Sequence, residues 1–196
     1  MIRQSSFLPL LLWSSLLLVR PAVGGEPAVP SWEPLFNGHD LAGWVAMNDG
    51  VFTAGEGEIH LLKGMGWLRT ERTYTNFIFE AEWRALGTNY NSGFFLRAGL
   101  EGKPFPTDVW QVNLKESALG SLLKGSKTVL ASATAPIPIR QWVKFRMELR
   151  GQRLTLDVDG KRAWEFNDFE AEAGYLGLQA EGKSFDFRQL RVQILP

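Results

Sequence analysis

Apolar and polar residues alternate along most of the chain after its first thirty positions. In Trp142–Arg150, Val143, Phe145, Met147 and Leu149 are apolar, and Lys144, Arg146, Glu148 and Arg150 are charged. A period of two sends successive side chains to opposite faces, so this is a strand with one buried side. Phe77, Phe79, Ala81 and Trp83 alternate in the same way with Ile78, Glu80, Glu82 and Arg84. Trp110, Val112 and Leu114 alternate with Gln111 and Asn113. Shorter patterned runs lie at 52–54, 58–62, 67–70, 154–159, 164–166 and 175–179. In 185–194 the apolar set changes parity after Phe187, which predicts a β-bulge near Arg188-Gln189. Asn37-Gly38, Gly151-Gln152 and Asp159-Gly160 are turn signals. No long segment has helical periodicity with caps. Many short alternating strands separated by glycine turns predict an all-β fold, an antiparallel β-sandwich of jelly-roll type. Positions 115–135 lack a pattern and read as a long loop, the kind that often covers a site.

The most chemical stretch is 77–97. Asn91, Gly93, Phe95 and Arg97 share one face of a second strand, and Ser92, Phe94 and Leu96 share the other. Paired with 77–84 as a hairpin, that strand would align Arg97 with Glu80 and Glu82, beside Gln111 and Asn113. The charges are then either a solvated face or a site, and the pattern alone leaves both open.

Composition narrows the classes. The 196 residues are 45% hydrophobic and 21% charged, with a formal net charge of zero, as in an ordinary globular domain. No basic stripe suggests nucleic acid. Without cysteine there is no disulfide and no thiolate ligand or nucleophile. The two histidines, His39 and His60, have no ligand cluster in sequence, so no metal site is assigned. Residues 1–24 have the basic start, apolar run and small-residue end of a signal peptide. Residues 25–31 form a Pro-containing linker, and 32–196 form the domain. Loss of Arg3 and Arg20 would leave a slightly acidic mature chain, expected to be secreted or periplasmic and without stable membrane insertion.

Four motifs then point to a family. Leu35-Phe-Asn-Gly-His-Asp-Leu-Ala-Gly-Trp44 resembles the opening of the 3-keto-disaccharide hydrolase family, also called DUF1080. Asn91-Ser-Gly-Phe-Phe-Leu-Arg97 is similar to its second motif, and Trp110-Gln-Val-Asn113 to its third. Gly177-Leu-Gln-Ala-Glu-Gly182 with Phe187-Arg-Gln-Leu-Arg191 is similar to its ending. The resemblance covers 32–196. It implies a concanavalin A-like jelly roll, as in laminarinase-type glucanases, and hydrolysis of glycosides oxidised at C3. The acidic residues that the family carries around the third motif are Val109 and Leu114 here, and its Asp-His after the Gly-Leu-Gln is Ala180-Glu181. The paired carboxylates about 5 Å apart of a retaining glucanase also have no counterpart.

In a 3-keto sugar the ketone acidifies the hydrogen on C2. A base removes it, an enolate forms at C3, the C1 substituent leaves, and water adds. Such a site needs a base, a cation at the ketone oxygen and donors for hydroxyls. The resemblance implies Glu82 as base with Glu80 as substitute, and Arg97 at the enolate oxygen. Asn91, Ser92, Gln111 and Asn113 would hold hydroxyls of a small carbohydrate ligand. Trp110 would stack on a sugar face, with Trp67 and Trp83 as further candidates. No cofactor is evident, and a divalent metal is compatible with the chemistry. The alternative is a non-catalytic carbohydrate-binding module on the same jelly roll.

Overall fold

The computed structural model describes Met1 and residues 31–196 apart from position 171. The expected signal peptide lies outside the described residues beyond Met1, as does the linker up to Ser31.

The strands are β1 (Trp32–Pro34), β2 (Trp44–Asn48), β3 (Val51–Gly55), β4 (Glu58–Lys63), β5 (Met65–Tyr74), β6 (Phe77–Ala85), β7 (Gly93–Ala98) and β8 (Trp110–Asn113). They continue with β9 (Leu122–Lys124), β10 (Lys127–Leu130), β11 (Val143–Arg150), β12 (Arg153–Val158), β13 (Lys161–Phe166), β14 (Gly174–Glu181) and β15 (Phe185–Ile194). All pairings are antiparallel. The first sheet runs β13-β12-β11-β6-β15-β4-β3, with β1 also on β15. The second runs β10-β9-β8-β7-β14-β5-β2. Two stacked antiparallel sheets make the jelly roll that the alternation predicts. The one helix among the described residues is a short 3-10 turn, Glu116–Ala118.

The core lies between the sheets. β11 sends Val143, Phe145, Met147 and Leu149 inward, all fully buried, as the pattern predicts. Phe94 of the second sheet meets Phe79 at 5.5 Å and Phe187 at 6.0 Å between ring centres. Trp83 meets Phe145 edge-on at 5.5 Å. Such edge-to-face aromatic pairs add to the area they bury. Asp159 and Gly160 both take positive φ in the β12–β13 turn, as hairpin turns of this type require. Register slips between Arg188 and Arg191, and Gln189 has φ +52°, so the bulge falls where the parity change puts it.

Two expectations are corrected. β6 and β7 do not form a hairpin. β6 pairs with β11 and β15 in the first sheet, and β7 pairs with β8 and β14 in the second. Positions 115–135 are not one loop, because β9 and β10 extend the second sheet beside β8. At three and four residues, these strands are too brief to show a period.

Candidate functional site

The sheet assignment separates the residues that the sequence brings together. Glu80 and Glu82 point away from the core on the outer face of the first sheet. Glu80 is nearly buried there and accepts hydrogen bonds from Arg191 Nη2 at 2.6 Å and Nε at 2.9 Å. Lys144 Nζ lies 2.7 Å from the same oxygen. Burial pushes the Glu80 carboxyl up, but the bonds and charges of Lys144 and Arg191 outweigh it and hold it below its ordinary value. Glu82 accepts from Arg188 Nε at 2.6 Å. Arg188 in turn lies 4.0 Å over the Trp142 ring, and Arg84 lies 4.4 Å from it. These are interlocked ion pairs on a sheet surface, and neither Glu80 nor Glu82 lines the cavity of the second sheet.

Arg97 sits in the other sheet, on a bulge of β7 with φ +45°. Its Nε donates to Thr75 O at 2.6 Å, Nη1 to Gly151 O at 2.9 Å, and Nη2 to Asn76 Oδ1 at 3.3 Å. It ties the β5–β6 turn to the β11–β12 turn. Hence Glu82 and Arg97 do not share a face, and Arg97 is engaged with backbone carbonyls. Trp110 faces inward and stacks on Phe169, 4.8 Å between ring centres. Ser92 is fully buried and donates to Gln179 O at 2.7 Å. Trp83 is core, and Trp67 lies under Phe95 on the outer face of the second sheet, 1% exposed.

That outer face carries the remaining candidates. Asn91, Gln111 and Asn113 do come together there, in a cavity of about 610 Å³. This is a size that accepts a sugar with a substituent. Side chains alternate, so Trp110 and Val112 go to the core while Gln111 and Asn113 face the groove. Gln111 Nε2 donates to Gln179 Oε1 at 3.0 Å and to Asn113 Oδ1 at 3.3 Å, which aligns the amides across β8 and β14. Gly93, between those strands, makes the arrangement possible. A Cβ there would collide with the Gln111 side chain. The rim is the segment 103–109, held to β2 by Asn48 Nδ2 donating to Pro104 O at 2.7 Å. Lys115 and Leu123 also line the cavity.

Glu181 is, with Gln179, a groove residue that sequence reasoning missed. It follows Gln179 by two on β14 and therefore shares its face. Half-buried, its carboxyl is pushed above its ordinary value by desolvation, with Lys115 pulling in the other direction. A carboxylate lifted in this way in a cavity is a candidate base. The signal was present in Gln179-Ala-Glu181, two polar residues on one strand face.

Among the described residues, Glu58, His60 and Asp186 form a cluster whose ligand atoms lie within 4.8 Å of one another, on the first sheet. Arg84 fills it: Nε donates to Asp186 Oδ2 at 2.7 Å and Nη2 to Glu58 Oε2 at 3.0 Å. His60 Nδ1 lies 2.7 Å from Asp186 Oδ1. A guanidinium occupies the place of a cation, so this set does not fit a metal as it stands.

The fold and groove define a jelly-roll domain of the glycosyl hydrolase-like or carbohydrate-binding type. Residues 31–193 match the model of the 3-keto-alpha-glucoside-1,2-lyase-like domain, and the chain belongs to that family. A protein from Parabacteroides distasonis described as a glycosyl hydrolase has 19% identity and a TM-score of 0.69, over 84% of this chain and 94% of that one. A carbohydrate-binding module from Bacillus subtilis has 16% identity and a TM-score of 0.64, over 77% and 95%. The kappa-carrageenase of Pseudoalteromonas carrageenovora has 12% identity and a TM-score of 0.58, over 90% and 99%. At these identities the likeness is one of fold. No curated protein matches the sequence. No helix among the described residues is long and apolar enough to cross a membrane.

Proposed function

We propose that the protein acts on 3-keto-glycosides in the groove of the second sheet, with Glu181 as the base. The observation that carries this is a half-buried carboxyl, raised by desolvation, at the end of an amide row. Glu181 takes the proton from C2. The electron pair passes to the C3 ketone oxygen as an enolate and then returns to expel the C1 substituent. Water adds to C1 of the resulting enone to give the free 3-keto sugar. Lys115, the cation beside Glu181, stabilises the enolate oxygen, as preorganised charge does best where charge develops. Asn91, Gln111, Asn113 and Gln179 hold hydroxyls. The chain is exported by its first 24 residues and works outside the cytoplasm, and N-terminal sequencing of the exported form is expected to begin near Gly25.

Family membership supports the reaction class, and the groove supports its place. The test is turnover of 3-keto-trehalose and 3-keto-glucosides by the purified protein and by Glu181→Gln. The variant is expected to lose about 10²–10⁴ in turnover while still binding. A fully active Glu181→Gln would remove Glu181 as the base.

A second reading rests on the same groove. Four of its polar side chains are amides, which bind hydroxyls without doing acid–base work. A wild-type protein that binds sugars but turns over no 3-keto-glycoside would make it a binding module.

A further inference from the structure

The amides that floor the groove are not free to turn, and one backbone carbonyl decides which way they point. Gln111 reaches over Gly93, where no side chain stands in its way, and its Nε2 donates to Ser92 O at 3.3 Å. A carbonyl oxygen only accepts, so the amide must bring its nitrogen there and not its oxygen. The same nitrogen meets Asn113 Oδ1 at 3.3 Å and Gln179 Oε1 at 3.0 Å. Both neighbours therefore turn an oxygen inward, to Gln111. Among the described residues, no group accepts from Asn113 Nδ2 or Gln179 Nε2. The two side chains are each 4% exposed and line the cavity, so these donors have only the groove to face. Buried donors left without an acceptor are costly, and a ligand oxygen relieves the cost.

The strand register adds a distance. Asn113 pairs with Gly93 of β7. Leu114 N then donates to Ser92 O and Glu116 N to Tyr90 O, which brings Lys115 opposite Asn91. On β14, Gln179 is one residue beyond the pair Leu178–Phe94, and Glu181 is two further on. Asn113, Gly93 and Gln179 thus form one row across the groove, and Lys115, Asn91 and Glu181 form the next. Two residues along a strand cover about 6.8 Å. The path from a base oxygen at C2, through C3 and the ketone oxygen, to a donor nitrogen spans about 6–7 Å. A sugar with C2 at Glu181 therefore brings its C3 oxygen over the amide row.

On the reading that the reaction takes place at Glu181, we infer that the side-chain N–H groups of Asn113 and Gln179 receive the C3 ketone oxygen, and that Gln111 is the positioning residue that turns them toward it. Each of the two nitrogens carries two hydrogens, so one serves a hydroxyl and one is left for the ketone. A ketone oxygen has lone pairs and no hydrogen, which suits a pair of donors. A hydroxyl in its place would also have to find an acceptor for its own hydrogen. The row thus reads the oxidation state of C3. It also acts during the reaction. As the proton leaves C2 for Glu181, the electron pair passes to the C3 oxygen, and hydrogen bonds to an oxygen gaining charge strengthen. Lys115 supplies the charge from the next row, and the amides supply fixed bonds. No proton leaves the amides, and the pair returns to expel the C1 substituent.

The test starts from Glu181→Gln, titrated calorimetrically with methyl 3-keto-α-glucoside and with methyl α-glucoside. The keto form is expected to bind about tenfold tighter. Adding Asn113→Leu is expected to abolish that preference. Adding Gln111→Glu is expected to reverse it, because a carboxylate draws the two amide nitrogens inward and leaves their oxygens facing the sugar. A merely structural Gln111 would weaken both sugars alike. Gln179→Met takes the place of either variant that does not fold, and is expected to abolish the preference too. The infrared carbonyl band of the bound keto sugar is expected at a lower frequency in Glu181→Gln than after Asn113→Leu is added. In the otherwise wild-type chain, Asn113→Leu is expected to lower kcat by about 10²–10³. Equal affinities for the two sugars in Glu181→Gln, or a preference and a carbonyl band that Asn113→Leu leaves unchanged, would overturn the inference. A fully active Glu181→Gln with the ketone preference retained would remove Glu181 as the base and leave the ketone contact standing.

Discussion

Glu181, the proposed base, bears on stability with a definite sign. Its carboxyl keeps its proton to a higher pH in the folded chain than in the unfolded one. Through the window from the ordinary carboxylate value up to the raised one, the unfolded state binds fewer protons, so stability falls as pH rises. Glu181→Gln removes that loss. Its melting temperature is expected to exceed that of the wild type at neutral pH and to match it in acid, while turnover collapses. The acidic limb of the wild-type rate profile is expected above the ordinary carboxylate value of about 4.3. Glu80 has the opposite sign. Held low by Lys144 and Arg191, it contributes stability above the ordinary carboxylate range, and this is lost as pH falls through its depressed value. Glu80→Ala is expected to lower stability by about 2–3 kcal/mol, since it leaves cations without their partner. Arg97→Met is expected to lower the melting temperature as its bonds to Thr75, Gly151 and Asn76 go. In both variants, activity per folded molecule should be unchanged. If either loses turnover while folded, the groove is not the reaction site.

At the scale of the strand, alternation revealed faces but not neighbours. β11 was legible because each inward residue is apolar and each outward one charged. Phe145→Ala is expected to cost about 3–5 kcal/mol in a denaturant titration. Lys144→Ala, which breaks a contact with nearly buried Glu80, is expected to cost about 1 kcal/mol. β6 and β7 were misread as partners because seven residues join them, a length that serves a hairpin and a crossing between sheets equally well. One sign of the crossing was present. Phe95 is apolar on the face that a hairpin would have shared with Glu80 and Glu82, so β7 needed cover on both sides. In the same way, Gln111 and Asn113 were legible as groove residues from the parity of β8, whereas Trp110 could not be, since an aromatic suits a sugar and a core alike. Gly93→Ala is expected to weaken sugar binding by displacing Gln111, with the fold retained, which titration with a glucoside reads directly.

Across the whole molecule, the two sheets divide the work. The outer face of the first is locked by ion pairs, and that of the second is opened by small residues and amides into a cavity. The jelly roll was legible in the rhythm of the strands. The placement of the cavity was not, since it depends on which sheet each strand joins.

The last strand has a further consequence, for the order of events in folding. β15 lies between β6 and β4, and β14 lies between β7 and β5, so the two final strands occupy interior positions of the two sheets. Neither sheet can close until the end of the chain is available. Pairings of this kind join distant parts of the chain and form slowly. A chain emerging from the ribosome therefore remains open, with unpaired central edges, until synthesis is almost complete. Those open edges must be shielded from aggregation meanwhile. Truncation before Phe185 is expected to leave no cooperative unfolding transition, where removal of an edge strand such as β10 would leave one.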